Sequence, residues 1–164
     1  FADYMQWGSF PVMVFFLMGL IGGCAGSTSC SIKVFRYQLL FASIRAQVRK
    51  IHSPHGLFEP RYQGRTVSED ILSSVMSFFM LFIVTLGVTA VALGLTGLDF
   101  ITSVSGASAA LANIGPGLGD IIGPAGNYGA LNDAAKWILA IAMLVGRLEL
   151  MAVFAILTVA FWRG

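Results

Sequence analysis

Residues 99–120 read DFITSVSGASAALANIGPGLGD, and the fold turns on how they sit relative to a membrane. The first part, 100–112, is weakly apolar and rich in Ser and Ala. Its thirteen residues reach only roughly 20 Å as a helix, at about 1.5 Å per residue, against a hydrocarbon core of about 30 Å. The second part, NIGPGLG at 113–119, holds three glycines and a proline and cannot continue a helix. Non-helical backbone at membrane depth is tolerated only where protein or a water-filled cavity satisfies it. The pattern therefore predicts a re-entrant helix over 100–112 and an extended turn after it, enclosed by neighbouring spans.

Both neighbours are present. Residues 71–98 carry no charge and are long enough for a tilted span. TVSE at 66–69 fits a capping box that starts this span, with Thr66 as cap and Glu69 three residues on. After the turn-rich stretch 120–132, Asn132 or Asp133 caps a last helix that runs to about residue 162. Residues 68–162 thus form a unit of helix, re-entrant helix with turn, and helix.

Upstream, an apolar segment over 10–22 is too short to cross alone. It is followed by small and hydroxyl residues in GLIGGCAGSTSCSIK, 19–33, and helical pattern resumes at about residue 31. The two halves with the break between them read as one crossing. Because this crossing and the later unit close toward the same side, they are expected to be parallel repeats.

Composition supports a membrane setting. Of 164 residues, 57% are hydrophobic and 11% charged, with mean hydropathy +0.81, where soluble domains carry about 25% charged residues. Seven of the ten Lys/Arg lie between Lys33 and Arg65, which predicts a cytoplasmic loop over 33–67. Arg163 places the end of the chain on the same side, and Asp99, Asp120 and Asp133 fall on the outer one. Nucleic-acid binding is the competing reading of a basic cluster, and the long apolar flanks argue against it. The opening at Phe1, with no signal-peptide pattern, reads as a segment of a longer chain.

Among the motifs, NIGPGLG carries the strongest chemistry. Glycines permit backbone angles that aim successive carbonyls one way, and carbonyl rings replace the water around a cation. The preceding helix directs its partly negative C-terminal end at the same place. A Gly/Pro turn ending a helix is the plainer reading. Arg147 and Glu149 sit near mid-span of the last helix, where ionisable groups are costly and mark function by default; a structural ion pair is the alternative. Gly146 beside Arg147 would admit another backbone. Cys24 and Cys30 read as packed free thiols or a disulfide. His52 and His55 read as solvated loop. Ser108 in SGASAA has no His in any apolar segment to activate it, which argues against an intramembrane serine hydrolase. No phosphate loop is present in the sequence, so nucleotide binding by this chain is unsupported, and no cofactor is expected in it.

GGCAGSTSCSIK, LANIGPGLG, NDAAKWILAIAMLVGRLE and the closing FWR resemble, in order and spacing, the C-terminal half of the Trk/Ktr-type potassium uptake proteins. The resemblance implies an all-α membrane protein of four tandem parallel helix–pore helix–helix repeats around one potassium-channel-like pore. Residues 1–51 would close the third repeat, 52–67 would be a cytoplasmic linker, and 68–164 would be the fourth repeat. Asn113, Ile114, Gly115, Pro116 and Gly117 would form its selectivity filter, with K+ at Asn113, Ile114 and Gly115. Gly22, Gly23, Cys24, Ala25, Gly26, Ser27, Thr28, Ser29, Cys30 and Ser31 would be an intramembrane gating loop, and Arg147 a gating arginine. Potassium would be the transported ligand. A sodium-transporting relative is the alternative within the family. The resemblance also implies a homodimer in the lipid of the cell's inner membrane and a cytoplasmic nucleotide-binding regulatory ring as partner. The family loop commonly reads GGCAGSTAGGIK; here Ser29, Cys30 and Ser31 stand where it has a small apolar residue and two glycines.

Overall fold

A computed structural model describes residues 4–23, 31–53, 60–62 and 64–148. Among these, five α-helices follow one another: α1 (Ser9–Gly19), α2 (Val34–His52), α3 (Glu69–Leu95), α4 (Phe100–Ala112) and α5 (Asp133–Arg147). A two-stranded antiparallel ladder joins α2 to α3, with β1 (Arg61–Tyr62) paired to β2 (Arg65–Thr66) in the register Arg61↔Thr66 and Tyr62↔Arg65.

α3 is long and apolar enough to cross a membrane, about 40 Å at 1.5 Å per residue. Its inward stripe is Val75, Phe78, Phe82, Thr89 and Leu93, at helical spacing. Its outward face stays apolar: Met80, Ile83, Val84, Val88, Val91 and Leu95 are all exposed. Only 22% of its most apolar stretch is buried within the chain, so this face is built for lipid or for protein outside the chain. Thr85 and Thr89 return their hydroxyls to the carbonyls four residues back, at 2.7 and 2.8 Å, and so need no partner helix.

The burial pattern inverts that of a soluble domain. The most enclosed element is the short helix α4, whose residues Thr102, Ser103 and Ser105–Ala112 are all buried. It packs on α3 and on α5, which flank it. Small side chains allow this approach where hydrophobic drive between helices is weak. Gly106 marks the centre: a Cβ there would lie 3.1 Å from Ile122 and 3.8 Å from both Leu93 and Leu139.

The ends of the helices follow from their caps. The Asp99 side chain accepts the Thr102 N–H at 3.1 Å and starts α4 at Phe100, as the sequence predicts. The Asn132 side chain accepts the Ala135 N–H at 2.9 Å and starts α5. Asn132 also donates to the Thr96 carbonyl at 3.0 Å, tying the start of α5 to the end of α3. Three expectations are corrected. Thr66 does not cap α3: it belongs to β2, and Ser68 holds the cap position, with no side-chain cap bond. Within the stretch expected as a cytoplasmic loop, Arg61–Tyr62 and Arg65–Thr66 pair as a ladder, and the Val67 N–H donates to the Pro60 carbonyl at 2.9 Å. α1 also stops at Gly19, three residues short of the expected end, since the backbone from Leu20 onward pairs with Ile32.

The charge distribution is polar along the long axis. Arg49, Lys50 and His52 end α2 and Glu69 and Asp70 begin α3, each sign favourable to its helix dipole. Asp99, Asp120 and Asp133 lie at the other end of α3, at the start of α4, in the turn after it and at the start of α5.

Candidate functional site

α4 ends in a left-handed cap. Asn113 has φ 53° and ψ 43°; its N–H donates to the Ala110 carbonyl at 3.2 Å, and that of Ile114 to Ala109 at 3.1 Å. This is the Schellman arrangement, and it reverses the chain while satisfying two carbonyls of the last turn. Asn is among the few non-glycine residues that take αL readily. Its amide also donates to the Met143 carbonyl of α5 at 3.1 Å.

The chain then returns along the helix it has just left. The Leu118 N–H donates to Ser105 Oγ at 2.9 Å, and Ser105 Oγ lies 3.3 Å from the Leu118 carbonyl. At Gly119, a Cβ would lie 3.5 Å from Thr102 Oγ1, in the first turn of α4. The Gly117 N–H is taken by the Ile122 carbonyl at 2.7 Å. Between these anchors Gly115 has φ +111°, and a Cβ there would meet nothing within 4 Å. Glycine is required at 115 by backbone angle, not by room. The Tyr128 hydroxyl donates to the Gly115 carbonyl at 2.5 Å. Residues 113–118 are thus held by α4, by α5 and by the 122–128 turn, beside the partly negative end of α4.

At the acidic end, Asp99 is exposed, and the Thr102 side chain and N–H hold its carboxyl below the ordinary carboxylate value.

The two ends of the 22–31 loop meet. Ile21 and Ile32 form a parallel bridge; the Gly22 N–H donates to Ile32 at 2.9 Å and the Val34 N–H to Gly23 at 3.2 Å. Ser31 has φ +72°, the left-handed region that favours glycine. Its hydroxyl is directed at the carbonyls of Gly19 and Leu20, and the Tyr37 hydroxyl reaches the Leu20 carbonyl at 3.3 Å. This base touches the 113–117 segment: a Cβ on Gly19 would lie 2.6 Å from Ile114 Cδ1. Gly22, Gly23 and Ser31 therefore sit at the base. Cys24, Ala25, Gly26, Ser27, Thr28, Ser29 and Cys30 lie outside the described residues.

Arg147 is the last residue of α5 and follows Gly146, which lies against the backbone of Leu111. This is the close backbone approach expected at Gly146, and it sets Arg147 beside the end of α4. Glu149 lies outside the described residues, as does His55; His52 ends α2. Ser108 is buried within α4. Pro116 is exposed in the return segment. Tyr128, Ser105 and Ile122 were not singled out by the sequence; a tyrosine in a turn, a serine in a packed helix and an apolar residue after a Gly-rich run carry no distinguishing signal.

The family profile described as TrkH, cation transport protein, matches residues 1–161. The Trk system potassium uptake protein TrkI of Halomonas elongata is 46% identical over 98% of this chain and 33% of its own length. The Trk system potassium uptake protein TrkG of Escherichia coli is 34% identical over 99% of this chain and 33% of its own. The crystal structure of the potassium transporter TrkH from Vibrio parahaemolyticus superposes with a TM-score of 0.89 at 31% identity, covering 98% of this chain and 34% of that one. The chain spans about a third of the length of the relatives it matches. With a profile match over nearly its whole length, the chain belongs to the TrkH family of cation transport proteins.

Proposed function

We propose that this chain supplies part of a potassium uptake pathway, with Asn113, Ile114, Gly115, Pro116 and Gly117 as one quarter of its selectivity filter. The observation that carries the reading is the return of 113–118 along α4 with Gly115 at φ +111°. Backbone of this kind, backed by a buried helix whose C-terminal end faces it, offers carbonyl oxygens to a cation without requiring a charged side chain. The carbonyls of Asn113, Ile114 and Gly115 are the ones assigned to K+. That relatives at 34–46% identity are named potassium uptake proteins supports the ion chosen.

On the same reading, α3, α4 and α5 are the outer helix, pore helix and inner helix of a fourth repeat, and α1 and α2 close the third. The exposed apolar face of α3 suits lipid or the remaining repeats. The loop over 22–31 acts as the gate, a reading supported by the contact of its base with Ile114, and Arg147, which follows Gly146 beside the end of α4, is the gating arginine. The basic end of α2, the start of α3 and the end of the chain would face the cytoplasm, where a nucleotide-binding regulatory ring would dock; the whole transporter would be a homodimer of the inner membrane.

The experiment is K+ uptake by the full-length transporter in cells lacking their own uptake systems. Gly115→Ala forces a side chain into a left-handed angle and should reduce K+ uptake by about tenfold or more at equal membrane abundance. Uptake at the unsubstituted level would remove Gly115 from the pathway.

A further inference from the structure

We propose that Tyr128 is a positioning residue for ion selection, through the hydrogen bond from its hydroxyl to the Gly115 carbonyl; the inference rests on the filter reading above.

The bond is 2.5 Å long and joins residues thirteen apart, so it ties the 128–130 turn to the middle of the return segment. The turn that carries Tyr128 is itself fixed at both ends. Before it, the Asn127 side chain accepts the Gly129 N–H at 2.9 Å. After it, Leu131 is buried, and Asn132 is pinned to Thr96 at the end of α3. The Tyr128 ring packs against the core formed by α3, α4 and α5. Tyr128 is therefore a rigid bracket, and its hydroxyl has a defined position to hold.

Gly115 is the place where a bracket matters. It has a left-handed φ of +111°, and a Cβ there would meet nothing within 4 Å, so no close packing surrounds it. The flanking residues are held otherwise, Asn113 by Met143 and Leu118 by Ser105. A cavity of about 310 Å3 lies between Gly115, Tyr128 and the α4–α5 seam, so packing alone does not support the peptide on that side.

Two effects follow, and both favour the larger ion. A carbonyl oxygen has two lone pairs; the phenol occupies one and fixes where the other points. The oxygen then resists closing on a smaller cation. Donating to the carbonyl also draws off electron density, which weakens the field the ion feels. Whether cavity size or carbonyl field strength decides K+ over Na+ is debated, and the hydroxyl acts in the same direction under either account. The expected change in preference, roughly 2- to 10-fold, corresponds to about 0.4–1.4 kcal/mol at 1.4 kcal/mol per tenfold.

The test compares K+ and Na+ uptake by the full-length transporter carrying Tyr128→Phe, with Gly115→Ala as a parallel variant, each normalised to membrane abundance. Tyr128→Phe keeps the ring and removes one oxygen. The expected result is a ~2- to 10-fold fall in the K+:Na+ ratio. Loss of packing alone would lower both fluxes and leave the ratio unchanged. An unchanged ratio for Tyr128→Phe, with Gly115→Ala impaired, overturns the role of Tyr128 and leaves the filter standing. If Gly115→Ala is also unimpaired, the filter reading fails and this inference fails with it. Should Tyr128→Phe not accumulate, a fluorinated tyrosine at 128, a stronger donor of the same shape, should raise the ratio; no change overturns the inference.

Discussion

Gly146 of α5 lies directly against the backbone carbonyl of Leu111, so that a Cβ at 146 would strike the Leu111 oxygen, carbonyl carbon and Cα. Backbone meets backbone here, two residues before the Asn113 cap that launches residues 113–118. The contact sets how far the end of α4 stands from α5, and with it the reach of the Asn113 amide to Met143. Gly146→Ala forces the helices apart. Its expected cost is about 1–3 kcal/mol, as for an overpacked site, read as a lower Tm of the full-length protein in detergent. An unchanged Tm would mean that the two backbones are not in contact.

Gly115 and Gly146 need glycine for opposite reasons, which gives a contrast. Gly115 has a left-handed angle and an open flank; Gly146 is helical, with no room beside it. At 115, Ala and Ser should be similarly harmful, since the angle penalises any Cβ. At 146, Ser should be worse than Ala, since size matters there. A Tm series over the four variants checks both rankings.

Asn113 combines a left-handed angle with a side-chain bond to Met143. Asn113→Gly keeps the first and loses the second, and should cost about 1 kcal/mol. Asn113→Leu loses both and should cost about 2–3 kcal/mol. Equal Tm values for Gly and Leu would show that the angle is not left-handed in the folded protein.

Ser31 has φ +72°, the left-handed region that favours glycine, which is the residue that the resemblance to the Trk/Ktr loop implies at this position. Its hydroxyl offsets the cost by reaching the Gly19 and Leu20 carbonyls. The left-handed penalty is roughly 1–2 kcal/mol and a hydrogen bond contributes about 0.5–1.5 kcal/mol, so Ser31→Gly should be near neutral. Ser31→Ala keeps the penalty and loses the bond, and should lower stability by about 1 kcal/mol. The ordering Gly above Ala in Tm is the check, and the reverse would contradict the geometry.

Asp99 supplies a pH dependence of known sign. Its carboxyl is held below the ordinary value in the folded protein, so its capping contribution is full above the unfolded pKa of about 3.9. The contribution disappears as pH falls through the lower folded value. Because the group is exposed, the effect is small, and Asp99→Ala should cost about 0.5 kcal/mol at neutral pH. Asp99→Asn should keep most of the cap and flatten the acid limb of a Tm-against-pH curve; an identical acid limb would exclude the carboxylate.

The elements that were legible in the sequence are those whose ends are written in local chemistry. α4 spans the expected residues because Asp99 caps one end and Asn113, before a glycine-rich run, closes the other. Asn132 marks α5 in the same way. Where Thr66 was expected to cap α3, local pattern misjudged: the β ladder took Thr66, and the cap position fell to Ser68. Gly146 was readable as a point of close approach, but its partner Leu111 was not, since residues 35 positions apart meet only in the folded chain. Tyr128 escaped notice for the same reason, and the pairing of Ile21 with Ile32 shortened α1 without a local signal.

The most direct measurement is anomalous X-ray diffraction from crystals of the full-length transporter grown with Rb+ or Tl+ in place of K+. Anomalous peaks within about 3 Å of the carbonyl oxygens of Asn113, Ile114 and Gly115 are predicted, on the side of Gly115 away from Tyr128. Peaks elsewhere along the protein, with none beside these carbonyls, would contradict the assignment of the filter.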